Sequence, residues 1–289
     1  MDGMSDRRRG LLLAFAGIVV LMPDTVLFRL IDSDLWVLMV WRAAFQGGVL
    51  WLALIALRGR ALPGDLRALG VPGLGFALAM GGSATFFNLA VAWTTVANTL
   101  FILAAMPLWA ALISRLLLGE RIGRRTALTI LVAMAGIGIL VTGEDAGGIA
   151  HWSGDLAALA GSFCMALGFT LARLAPGRSM VPALAAGAAL PVLVGAAMGG
   201  LAWPLAGDMP LLFVMGAVVQ PLSFALIATA PRFIPSTEVS LIMLLETALA
   251  PLLVWWIVGE DPGPRAVLGG SIVVAALVVS NLVGLRRVR

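Results

Sequence analysis

The 289-residue sequence predicts an all-α membrane protein of ten transmembrane helices, built as two inverted five-helix repeats. Three observations predict it. Hydrophobic residues make up 61% of the chain and charged residues only 12%, against roughly half and a quarter in soluble domains. The apolar residues gather into about ten runs separated by polar or turn-rich breaks, and about 20 apolar residues in a helix cross roughly 30 Å of hydrocarbon. An offset of 140 residues superimposes Ile102 on Ile242, Ala110 on Ala250, Leu112 on Leu252 and Gly119-Glu120 on Gly259-Glu260.

The first run follows Arg7, Arg8 and Arg9 and extends over 11–30, past Pro23. It is longer than the core of a secretory signal and lacks a small-x-small cleavage pattern, so it reads as an uncleaved first helix. The second covers 35–57, and the others fall at 69–92, 96–118, 127–141, 156–174, 181–205, 210–230, 237–258 and 267–285. The 34 glycines and the abundant alanine suit close helix-to-helix approach, where small residues let backbones come together. The single cysteine, Cys164, leaves no internal disulfide possible.

Each Gly-Glu pair closes the fourth helix of a five-helix half, at 10–142 and 153–285. An odd number of helices per unit inverts the second copy, which produces an inverted-topology repeat. Orientation follows from the arginines, since lysine is absent. Arg7, Arg8, Arg9, Arg58, Arg60, Arg67, Arg121, Arg124, Arg125, Arg173, Arg178, Arg232, Arg286, Arg287 and Arg289 fall on one side, and the opposite loops contribute only Arg265. Cytoplasmic loops collect basic residues, so both termini are expected in the cytoplasm. Trp36, Trp93, Trp152, Trp203, Trp255 and Trp256 cluster toward the other face as interfacial anchors, alongside Asp32, Asp34, Glu144, Asp145 and Asp208. The net charge of +4 is thereby accounted for by topology, and no nucleic-acid partner is expected.

The sequence resembles the drug/metabolite transporter superfamily and, within it, the EamA-type carriers. The likeness rests on Arg42 after Asp34-Leu35-Trp36, on Pro107-Leu108-Trp109 leading to Leu117-Leu118-Gly119-Glu120-Arg121, and on Leu244-Leu245-Glu246-Thr247 leading to Val258-Gly259-Glu260. It spans nearly the whole chain. One departure is that Thr247 stands where Pro107 stands in the first half, with Pro251 one turn later, which moves the expected kink of helix 9 toward the outer face. The resemblance implies an inner-membrane secondary transporter, an exporter of small metabolites such as amino acids, and leaves the substrate open. Helices 3, 4, 8 and 9 are the cavity walls it implies.

Ionisable groups at membrane depth point to a site, because a charge there costs about 3 kcal/mol even on insertion scales. Glu246 lies roughly 14 Å into helix 9 at 1.5 Å per residue, near the midplane. It either binds a substrate ammonium or carries a coupling proton, or else serves as a protonated acid bonded to a neighbouring helix. Asp24 and Arg42 sit at matching depths, roughly 10 Å in, so they are expected to pair; alternatively Arg42 clamps a substrate carboxylate. Arg29 and Arg115 can snorkel to the interfaces. Glu120 and Glu260 read as helix-end structural residues. Gln46, Asn88, Asn98, Ser162, Gln220 and Ser223 offer hydrogen bonds, and Trp109 and Phe224 offer flat faces for a ring or a cation. Among these the cavity walls favour Asn88, Asn98, Trp109, Gln220 and Phe224, while interhelical packing is the competing role of each.

An intramembrane enzyme is the rival class. The one histidine, His151, lies in a loop beside Trp152, so neither a buried Ser-His dyad nor a site with paired histidines can form. Phosphate-binding glycine loops and nucleophile elbows are missing too, and Gly81-Gly82-Ser83 reads as helix packing. A non-transporting membrane scaffold is the third class. No cofactor or metal is expected. The expected partners are a small-molecule substrate, the lipid bilayer and protons as a coupling ion, with the chain a monomer or homodimer.

Overall fold

The computed structural model describes residues 2–119, 124–141, 151–172, 174, 178–230, 233 and 236–288. Glu120, Arg121, Glu144, Asp145, Arg173, Arg232 and Arg289, named above, lie outside the described residues. The described residues form α-helices and no strand: α1 (Asp2–Leu21), α2 (Pro23–Arg29), α3 (Leu35–Arg58), α4 (Leu62–Trp93), α5 (Val96–Leu103), α6 (Met106–Leu118), α7 (Arg124–Val141), α8 (Trp152–Ala172), α9 (Val181–Gly187), α10 (Ala189–Ala197), α11 (Met209–Phe213), α12 (Gln220–Thr229), α13 (Ser236–Val258) and α14 (Gly263–Val288). A π-helical segment, Val214–Val219, joins α11 to α12.

Five helical stretches are long and apolar enough to cross a membrane: Arg8–Arg29, Leu35–Trp93, Val96–Leu117, Trp152–Ala172 and Met209–Ile227. Shorter apolar helices run over Ala127–Ile139, Val181–Ala197, Leu245–Val258 and Gly263–Ala276. The 59-residue stretch Leu35–Trp93 would reach about 90 Å if straight, about three times the hydrocarbon thickness. It therefore folds back on itself. Gly59 (φ 48°) ends α3 and Gly70 (φ 56°) is a non-helical break inside α4, both at positive φ that favours glycine, and Arg42 of α3 bonds Asn88 of α4, 46 residues away in the chain. The protein is a multi-pass membrane protein.

Several expected spans are interrupted in the structure. The first is cut at Met22, just before Pro23 opens α2. The expected single helix over 96–118 breaks at Ala104–Ala105, with Pro107 in the first turn of α6. The span expected over 181–205 is two short helices meeting at Ala188 and ending at Ala197. Gly199 (φ 93°) and the Gly200 N–H to Gly195 carbonyl bond (2.8 Å) close that end in a Schellman-type turn. In contrast α13 runs unbroken through Pro251, so the expected helix 9 kink does not divide it. Gly119 (φ 68°) and Gly259 (φ 80°), one after each of α6 and α13, both take the left-handed conformation that terminates a helix.

Packing brings α4 and α9 to backbone contact. A Cβ on Gly187 would sit 2.5 Å from the Ala77 carbonyl oxygen, and one on Gly81 would collide with the Gly187 carbonyl. Hydrogen is the only side chain either position can hold. At the end bearing most of the tryptophans, Val26, Leu38, Val91, Val96, Leu212, Met215 and Val254 form a buried apolar plug from α2, α3, α4, α5, the α11–α12 segment and α13. Trp152, Trp203, Trp255 and Trp256 stay exposed at 67, 73, 51 and 82%, as amphipathic rings do where a polar headgroup layer meets hydrocarbon.

Candidate functional site

A cavity of about 150 Å³ opens beneath the plug. It lies where the helices are interrupted: Leu21 and Asp24 flank the α1–α2 break, Leu103, Ala104 and Met106 the α5–α6 break, Leu184, Gly187, Ala188 and Pro191 the α9–α10 break, and Gln220 follows the π-helical segment. Backbone irregularity at membrane depth is tolerated only where protein or a wet cavity surrounds it. A proline within a few residues of each break, Pro23, Pro107, Pro191 and Pro221, lacks the amide donor of other residues.

One polar network crosses the cavity wall. Arg42 Nη2 donates to Asp24 Oδ2 at 2.5 Å, and its Nη1 donates to Asn88 Oδ1 at 2.5 Å. Gln220 Nε2 donates to Asp24 Oδ1 at 3.3 Å, and Asn88 Nδ2 donates to the Ala84 carbonyl at 2.7 Å. Asp24 and Arg42 are each 3% exposed. The guanidinium also lies 5.3 Å from the Phe87 ring centre and 5.9 Å from that of Phe28, a cation–π arrangement that favours the charge where water is scarce. The expected Asp24–Arg42 pair is therefore present, and both Nη groups of Arg42 are engaged within the protein.

Glu246 behaves differently. It lines the same cavity as Phe224, Met243 and Thr247, and it has no hydrogen-bond or ion-pair partner among the described residues. Among the described residues it is the one acid of the cavity lining without a partner. Asp24, Arg42, Asn88, Gln220, Phe224 and Glu246 thus share one space.

Asn98 and Trp109, expected on the same wall, lie outside the cavity lining. Asn98 donates to Asp155 Oδ1 and to Thr94 Oγ1, both at 3.3 Å. Trp109 meets Phe163 of α8 edge to face, with ring centres 5.6 Å apart. Helix register turns both side chains toward α8 or its N-terminal turn. Gln46, Ser83 and Thr247 complete the polar lining; Ser83 stands within a helical turn and a half of Asn88, a spacing that puts residues on neighbouring faces, yet the small-residue run around it pointed to packing.

Arg29 does not snorkel. Its Nε lies 2.6 Å from Glu260 Oε2, and its Nη2 donates to the Thr94 carbonyl at 2.8 Å. Glu260 Oε1 in turn accepts from the Val96 N–H at 2.6 Å. Two further acids act alike: Asp155 Oδ1 accepts from Thr94 Oγ1 at 2.9 Å, and Asp208 Oδ2 accepts from the Ser33 N–H at 2.7 Å and its hydroxyl at 2.5 Å. Three carboxylates from the later half of the sequence thereby hold groups of the earlier half at the end where the plug sits. Asp155 was invisible in the sequence because it reads as the polar boundary of a span.

Comparison with known proteins completes the picture. Residues 152–282 match the EamA-like transporter family. No curated protein sequence matches the chain. Among solved structures, one crystal structure aligns with a TM-score of 0.63 at 18% identity, covering 96% of this chain and 97% of that one. A likeness at that identity establishes a shared fold.

Proposed function

We propose that this multi-pass membrane protein, whose residues 152–282 match the EamA-like transporter family of the drug/metabolite transporter superfamily, is a secondary carrier exporting small metabolites that bear an ammonium group, by alternating access. Its two five-helix halves, 10–142 and 153–285, are inverted copies with both termini in the cytoplasm of a bacterial inner membrane. The observation that carries this reading is Glu246: an unpartnered carboxylate in a cavity walled by residues of both halves. An ionisable group at that depth with no protein partner is available to a ligand or a proton that enters the cavity.

The cross-half contacts supply the moving part. Arg29–Glu260, Thr94–Asp155 and Ser33–Asp208, with the apolar plug behind them, close the tryptophan-rich end. Opening that end requires these contacts to part while the opposite end closes, the exchange an inverted repeat performs by swapping the conformations of its halves. Protons are the coupling ion in this reading, alternating with substrate on Glu246. Reconstitution into liposomes with a panel of labelled metabolites tests it: saturable flux of at least one amine-bearing metabolite, accelerated by a pH gradient, is expected. Flux no faster than in protein-free liposomes across the whole panel contradicts it.

A further inference from the structure

The partner assignments inside the cavity go on to specify the substrate's charge. Resting on the transporter reading above, we propose that the cavity takes a compact organic amine with an apolar body and no free carboxylate, held at its ammonium by Glu246.

A zwitterionic amino acid needs two poles in the site, an anion for its ammonium and a cation or a cluster of donors for its carboxylate. Among the described residues, Arg42 is the only basic one lining the cavity. Both of its Nη groups are engaged, by Asp24 and by Asn88. Its Nε has no hydrogen-bond partner, but it is buried with essentially no accessible surface, so an incoming carboxylate cannot reach it. Displacing Asp24 from Arg42 would leave a buried carboxylate with only Gln220 at 3.3 Å, and an unpaired buried charge is strongly unfavourable. A carboxylate-bearing substrate therefore meets no cation that a protein carboxylate does not already neutralise.

The anionic pole is in the opposite condition. Asp24 and Arg42 pair with each other, which leaves Glu246 as the ionisable group of the described lining with no protein partner. Thr247 and Gln46 also line the cavity without a hydrogen-bond partner among the described residues and can accept from an ammonium. Most of the rest is apolar or aromatic: Met80, Phe87, Met106, Met165, Phe224 and Met243. Unbranched thioethers adapt to varied apolar shapes, and ring faces attract a cation. Charge, hydrogen-bonding capacity and surface all describe an amine on a small hydrocarbon body.

The test uses three molecules sharing one carbon skeleton: isoamylamine, leucine and 4-methylpentanoate. Binding of each is measured calorimetrically on the purified full-length protein in lipid nanodiscs, and flux of labelled leucine is measured in liposomes in parallel. Isoamylamine is expected to bind at least about tenfold more tightly than leucine, with 4-methylpentanoate the weakest, and Glu246→Gln is expected to remove the preference. Because the ranking in the unmodified protein is read first, it does not depend on how the variant folds. Leucine binding as tightly as the amine, or no amine binding, overturns the proposal. If leucine is also carried in liposomes, the amine assignment fails while the transporter reading stands; if neither it nor any metabolite of the panel is carried, the transporter reading itself fails.

Discussion

Glu246→Gln is expected to abolish flux driven by a pH gradient while leaving the protein folded. Glutamine keeps the shape and hydrogen-bonding reach of the side chain but can neither carry a negative charge nor exchange a proton. The other ionisable groups lining the cavity are Asp24 and Arg42, and these are bound to each other. Among the described residues no second free acid lines the cavity to take over. A hydrogen bond to a charged group contributes ~1.5–3 kcal/mol, so substrate binding should weaken roughly ten- to hundredfold in addition. Flux in liposomes with and without a pH gradient, alongside size-exclusion behaviour in detergent, checks the expectation. A variant that retains full pH-driven flux removes Glu246 from the mechanism.

Breaking the Asp24–Arg42 pair should have the largest effect on stability. Arg42→Ala leaves Asp24, 3% exposed, with only the Gln220 contact, and removes the guanidinium from between Phe28 and Phe87. Removing one partner of a buried pair costs about 3–5 kcal/mol, because the other charge stays buried without compensation. Asp24→Asn should destabilise by the same logic. The double variant Asp24→Asn with Arg42→Ala, which leaves neither charge of the pair, should recover much of the loss. Thermal unfolding midpoints in detergent of all four proteins measure this coupling. Single variants as stable as the unmodified protein would show that the pair contributes nothing to the fold.

The sequence disclosed what depends on local pattern and withheld what depends on distant partners. Membrane class followed from composition, and the equivalence of Gly119 and Gly259 followed from their spacing, because each ends a helix through a local left-handed turn. Asp24 and Arg42 could be paired from depth alone, since both are charges that lipid would penalise at the same level. Arg29 could not. Its partner Glu260 lies at the far end of the second half, and without it the long arginine reads as a side chain reaching for the interface. Asn98 and Trp109 were placed on the cavity because their helix borders it, but facing is decided by register and by the breaks in the backbone. The break at Ala104–Ala105 separates α5 from α6, and a run of apolar residues gives little sign of where such a break falls. Pro23, Pro107 and Pro191 mark the interruptions in hindsight, yet Pro251 sits inside unbroken α13, so proline by itself does not discriminate.

That the cavity faces one side of the membrane and then the other is tested most directly by thiol labelling from each side. The protein carrying Gln46→Cys on the cavity lining, with Cys164→Ala to remove the native thiol, is reconstituted in one orientation and exposed to a membrane-impermeant maleimide. Labelling is expected from both sides, with the two rates shifting reciprocally when substrate is supplied on one side and both falling at saturation. Labelling from one side alone under every substrate condition would contradict alternating access.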